Sequence, residues 1–102
     1  LYDESKLIRE RERGENAKRL LNNELFVEAF DTIEEKLMAE WQSTGPDGMP
    51  HREDCWRTLM LLKKLKGVIE QHVKRGETSV KYIAALEEEK TRKRRFPGLK
   101  AV

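Results

Sequence analysis

Apolar positions recur at three- and four-residue spacing along most of this chain, and no sustained alternation of β-branched residues breaks that rhythm. Phe26, Ala29, Phe30, Ile33, Leu37 and Trp41 fall within one contiguous stripe at 100° per residue, which predicts an amphipathic helix. Asn22 and Asn23 precede it, and a short amide side chain there suits an N-cap. The helix is expected to end near Ser43. A second stripe follows through Cys55, Leu59, Leu62, Leu65, Ile69 and Val73, flanked by Trp56, Met60 and Val68.

Residues 43–50 hold two prolines and two glycines, a composition that cannot continue a helix. Pro50 suits the first turn of the next helix, where Glu53 and Asp54 complement the positive end of the dipole. Two amphipathic helices joined by a short loop predict an antiparallel αα-hairpin over residues 23–75. Phe30, Ile33, Leu37, Leu59, Leu62 and Ile69 are expected to face one another or a neighbouring copy. Gly67, inside the second helix, costs stability unless another backbone passes close to it, so a tight crossing is expected there.

The flanking segments are more polar. Residues 1–22 carry few apolar anchors, chiefly Tyr2, Leu7, Ile8, Ala17, Leu20 and Leu21, and Gly14 costs about 1 kcal/mol of helix propensity relative to alanine. This arm is expected to fray unless a partner surface orders it. Gly76 is expected to end the second hairpin helix, with Thr78 or Ser79 capping a third over residues 77–95. Val80, Ile83 and Leu86, with Tyr82 nearby, give that helix a short apolar side. Phe96-Pro97-Gly98 should stop it and leave residues 96–102 as a loose tail. The expected fold is therefore all-α: an antiparallel helical hairpin with N-terminal and C-terminal helical arms.

Charge sharpens this picture. The 102 residues are 39% charged and 37% hydrophobic, too charged for a deep core and too patterned for full disorder. The formal net charge of +2 hides a partition. From Lys90 onward there are six cations and no acid, so residues 1–89 carry 15 bases against 19 acids. The first hairpin helix is acidic, with only Lys36 against Glu24, Glu28, Asp31, Glu34, Glu35 and Glu40. The second is basic, and pairing along the flanks of the hairpin is expected, although exposed pairs contribute only about 0–1 kcal/mol each.

No catalytic, cofactor-binding or metal-binding residues are assigned from the sequence. The single cysteine, Cys55, excludes an intrachain disulfide and a zinc cluster built on cysteines. A packed thiol is expected there, because no basic partner stands at productive spacing. His51, with Glu53 or Asp54, makes only a weak metal set and reads as a solvated helix start. Residues 43–50 lack the order of a phosphate cradle. No apolar run approaches a membrane span, no signal-peptide order opens the chain, and no membrane partner is expected. Trp41 closes the first hairpin helix and Trp56 opens the second, so antiparallel packing sets them at the same end. Phe26, Trp41, Trp56, Met60 and Val68 are the candidate partner or oligomer interface. Arg92, Lys93, Arg94 and Arg95 are the candidate contacts to phosphate or an acidic partner, since four consecutive helical cations cannot all pack inside.

The stretch Arg13-Gly14-Glu15-Asn16-Ala17-Lys18-Arg19-Leu20-Leu21, then Leu25-Phe26-Val27-Glu28-Ala29-Phe30, Trp41 and Arg52-Glu53-Asp54-Cys55-Trp56, resembles a group of small helical proteins of tailed bacteriophages and prophages. The likeness spans residues 13–75 and leaves out the basic end. It implies a viral setting, in the host cytoplasm during assembly or in the virion, and a part in particle assembly or DNA packaging. Two expectations follow. One is a non-enzymatic assembly protein that oligomerises or docks on a larger phage structural protein. The other is a DNA-packaging recognition subunit, like a small terminase, that meets DNA non-specifically through its basic tail.

Overall fold

The computed structural model describes residues 3–95, all of whose regular structure is helical. Helix α1 spans Glu4–Leu21, α2 spans Glu24–Ser43, and α3 spans Met49–Arg95. Expectations for Tyr2 and for residues 96–102 lie outside the described residues.

Local chemistry sets the breaks. Asp3 caps α1 by accepting from the Ser5 backbone N–H at 3.0 Å, and Asn23 caps α2 by accepting from that of Phe26 at 3.0 Å. Asn23 has extended backbone (φ −70°, ψ 121°), so Asn22 and Asn23 form a short break rather than a long loop. The predicted Asn cap is therefore present. Residues 44–48 connect α2 to α3. A Cβ built on Gly48 would lie 2.8 Å from the Thr44 Cβ, so the tightness of this connection excludes a side chain at that position. Pro50 is the second residue of α3, as a first-turn proline should be. Glu53 and Asp54 fall one turn further on and approach Arg57 at 3.6 and 4.0 Å.

The antiparallel pairing extends well beyond residues 23–75. Glu4 meets Lys90, Glu10 meets Ser79, Gly14 meets Gly76, Glu40 meets Cys55 and Thr44 meets Arg52. Helices α1 and α2 thus lie end to end along one side of α3, whose 47 residues reach about 70 Å at 1.5 Å per residue. The molecule measures 78 × 26 × 16 Å, one helix thick in its shortest dimension.

Two sequence expectations are corrected here. Gly76 does not end a helix: α3 runs straight through it with helical backbone. The expected cap residues act otherwise. Thr78 Oγ1 donates back to the Lys74 carbonyl at 3.1 Å, and Ser79 is buried against α1. The N-terminal arm is likewise not left waiting for a foreign surface, because the C-terminal half of α3 covers it.

The reason for both is close backbone approach. A Cβ on Gly14 would sit 2.7 Å from the Gly76 Cα, and a Cβ on Gly76 would sit 2.7 Å from the Gly14 Cα. The tight crossing is here and not at Gly67, where an added Cβ would meet nothing within 4 Å. Leu7, Glu10, Gly14, Ala17 and Leu21 alternate steps of three and four along α1. Ile69, His72, Gly76, Ser79, Ile83, Leu86 and Lys90 do so along α3. That is a coiled-coil seam with small residues at its centre.

Burial follows this seam. Leu7, Gly14, Ala17, Gly76 and Ser79 are buried along it, Cys55 is buried apart from it where α3 faces α2, and α2 contributes no buried residue at all. The expected core residues Phe30, Leu37, Leu59, Leu62 and Ile69 are half-buried, and Ile33 is exposed. A single layer of two helices gives each side chain only one neighbour, so their outer halves stay in water.

Candidate binding site at the base of the hairpin

Where α2 turns into α3, Leu37, Met38 and Trp41 face Cys55, Trp56 and Leu59 across an apolar cleft of about 180 Å³. Each helix supplies the pattern i, i+1, i+4, which puts three side chains on one face. Trp41 and Trp56 therefore meet at the same end of the hairpin, as their places in the sequence predicted. They line a common cleft rather than stack. The Arg52 guanidinium lies over the Trp41 ring, 5.0 Å from its centroid, and both indoles stay exposed, Trp41 at 40% and Trp56 at 57%. Arg52 Nε also donates to Thr44 Oγ1 at 2.6 Å, and Thr44 Oγ1 donates to the Trp41 carbonyl at 2.7 Å. This relay ties the end of α2 to the start of α3.

Behind the cleft lies a polar cluster that the sequence did not suggest. Cys55, only 4% exposed, sets its Sγ 3.7 Å from Glu40 Oε2 and 3.8 Å from His51 Nε2. Glu40 Oε2 and His51 Nε2 are 3.6 Å apart. Glu53 and Asp54, the acids weighed beside His51 in the sequence as a weak metal set, approach Arg57 instead, and His51 meets Glu40 where a solvated helix start was expected. A basic group does stand beside the thiol, then, at i−4 on the same helix. Burial pushes the Cys55 thiol up from its ordinary value, and the Glu40 carboxylate, by its negative charge and by accepting a hydrogen bond from the thiol, adds to the rise.

This arrangement is the reverse of an activated nucleophile. A reactive cysteine has its pKa lowered, and its histidine base is oriented through the second ring nitrogen. Here the thiol and the carboxylate converge on the same nitrogen, Nε2.

The remaining candidate residues are dispersed. Phe26 packs on Phe30, one turn along α2, with ring centroids 4.7 Å apart. Met60 is half-buried beside Trp56, and Val68 is exposed further along α3. Phe26, Trp41, Trp56, Met60 and Val68 thus do not form one patch. Trp56, Met60 and Leu61 line one shallow groove on α3, while Val68 lies further along the helix, exposed like Leu65. Arg92, Lys93, Arg94 and Arg95 are all exposed in the last turn of α3, and Lys93 approaches Glu89 at 3.4 Å.

The expected charge pairing along the hairpin is largely absent. Among the described residues, Glu24, Glu28, Asp31, Glu34 and Glu35 make no ion pair within the chain, and neither do Lys63, Lys64 and Lys66. Among the described residues, the carboxylate pairs that cross between helices are Glu40–His51 and Glu4–Lys90. Among the described residues no helix is long and apolar enough to cross a membrane. No family model, no curated protein and no solved structure matches this chain.

Proposed function

We propose that this chain is a non-enzymatic helical assembly module that works by pairing with a second copy of itself. The observation that carries the reading is an unmet complementarity on the outside of the hairpin. Helix α2 presents a run of acids without internal partners, and α3 presents Lys63, Lys64 and Lys66 likewise. Apolar side chains lie beside those charges: Leu61 is 66% exposed, with Leu65 and Val68 on the same line, and Ile33 and Met38 are exposed on α2. In a two-fold dimer the acidic face of each copy meets the basic face of the other, so one surface patch satisfies both. Burying the apolar line supplies affinity, while the charges set register and orientation.

The setting we propose is the one implied by the resemblance to small helical tailed-phage proteins: the dimer docks on a larger virion component. Sedimentation at low and high salt tests the core of this reading. A dimer is expected, weakened by salt, and converted to a helical monomer by Leu61→Glu with Val68→Glu. A cooperatively melting monomer at all salt concentrations overturns it.

A second reading, DNA-packaging recognition, is favoured by one observation: the four exposed cations in the last turn of α3, far from the dimerising face. If it holds, replacing Arg92, Lys93, Arg94 and Arg95 with glutamine abolishes binding to duplex DNA at low salt and leaves helix content and subunit number unchanged. Absence of DNA binding by the parent chain at low salt removes this reading.

A further inference from the structure

Independently of how the chain associates, we infer that Glu40, His51 and Cys55 form a binding site for a divalent transition ion of the zinc class, at the point where α2 and α3 are clasped together. The argument is geometric. Metal–ligand distances of about 2.3 Å for thiolate sulfur, 2.0–2.1 Å for imidazole nitrogen and 2.0–2.2 Å for carboxylate oxygen, set at the tetrahedral angle, put the three donors about 3.3–3.7 Å from one another. The observed triangle measures 3.6 Å for Glu40–His51, 3.7 Å for Glu40–Cys55 and 3.8 Å for His51–Cys55. All three donor atoms lie within 4.8 Å of one another. They already form, to within a few tenths of an ångström, one face of a coordination tetrahedron.

The local structure makes the triangle. His51 and Cys55 are four residues apart on α3, so they share a face, and the antiparallel pairing brings Glu40 of α2 opposite them. The donor chemistry selects the ion. One thiolate, one imidazole and one carboxylate suit zinc or cobalt, whereas magnesium and calcium prefer all-oxygen cages. A buried sulfur beside a carboxylate is unfavourable as a thiolate on its own, and a divalent cation reverses that by neutralising both anions. Sulfur and oxygen both approach the same imidazole nitrogen, as donors to a common central ion must.

Three protein ligands leave a fourth position. Glu40 and His51 are exposed while Cys55 is buried, so that position faces solvent and takes a water or a donor from another molecule. Bound there, the ion cross-links the last turn of α2 to the first turns of α3. That is the end of the hairpin held otherwise by the Thr44–Arg52–Trp41 relay.

Titration of the metal-free full chain with Co²⁺, followed by optical absorption, tests the site. One equivalent is expected to bind, with a thiolate-to-cobalt charge-transfer band and the visible bands of tetrahedral cobalt, both removed when Zn²⁺ displaces the ion. Cys55→Ser should abolish the charge-transfer band. His51→Gln and Glu40→Gln change exposed side chains, so circular dichroism should show the fold intact. Each should weaken binding by more than the roughly 10–100-fold that losing a mere supporting partner of a ligand costs. Absence of the charge-transfer band in the parent chain at stoichiometric Co²⁺ overturns the proposal. So does a site that is lost with His72→Gln and retained with His51→Gln.

Discussion

Gly14 of α1 and Gly76 of α3 lie back to back, so close that a methyl group on either would stand 2.7 Å from the other's Cα. That contact brings the two backbones together and allows a polar N-terminal arm to dock along the far half of a 47-residue helix. Both glycines cost helix propensity, and the seam closed by their small size offsets that cost.

Replacing either glycine with alanine should therefore destabilise the chain by about 1–3 kcal/mol, since the clashing neighbour is backbone and cannot swing away. Gly67→Ala should act in the opposite sense. Its methyl enters open space in a helix interior, and a gain of about 0.4–1 kcal/mol is expected. Urea denaturation of the three variants checks this contrast. A stable Gly76→Ala variant would show that the seam is looser than the structure has it.

Ser79, the most buried polar side chain at 1% exposure, donates to Glu10 Oε2 at 2.8 Å across the same seam. Ser79→Ala leaves the partly covered Glu10 without its donor and should cost about 1–2 kcal/mol. Glu10→Gln retains an acceptor and should cost less. Equal losses from the two variants, in the same denaturation experiment, would mean that packing rather than the hydrogen bond matters at this site.

The Cys55 thiol should behave as a protonated, slow-reacting group near neutral pH. Burial first, and then Glu40, hold its pKa above the ordinary value of 9.0. The folded chain thus binds this proton more tightly than the unfolded chain does. The resulting stability is complete below pH 9.0 and is lost as pH rises through the higher folded value. Lys90, raised by its hydrogen bond to Glu4, acts in the same direction only at still higher pH, and it is exposed enough to add little. Alkylation of metal-free protein by iodoacetamide, followed from neutral to alkaline pH, checks the first point. Glu40→Gln should shift the rate profile to lower pH, and an unchanged profile would mean that Glu40 does not act on the thiol.

The all-helical class, the Asn23 cap, a break within residues 43–50 (narrowed by the structure to 44–48) and the place of Pro50 were legible in the sequence because each depends on local rules of spacing, capping and backbone restriction. The apposition of Trp41 and Trp56 at one end also followed, since an antiparallel turn admits no other arrangement of a helix end and the next helix start. Gly76 was misread for a physical reason. A glycine between helical segments satisfies the local signal for a helix end, and only a backbone lying against it makes the same residue favourable inside a helix. Residues 4–21 were misjudged similarly, because a seam of Leu7, Gly14 and Ala17 buries little area by itself and becomes a stable contact only where another helix is equally bare. The i, i+4 pair of His51 and Cys55 was visible in the sequence, but Glu40 stands eleven residues from His51 and belongs to another helix. Local periodicity places side chains on a face. The register between faces, which joins those three donors and those two glycines, is a property of the packed pair of helices and was decided by tertiary structure alone.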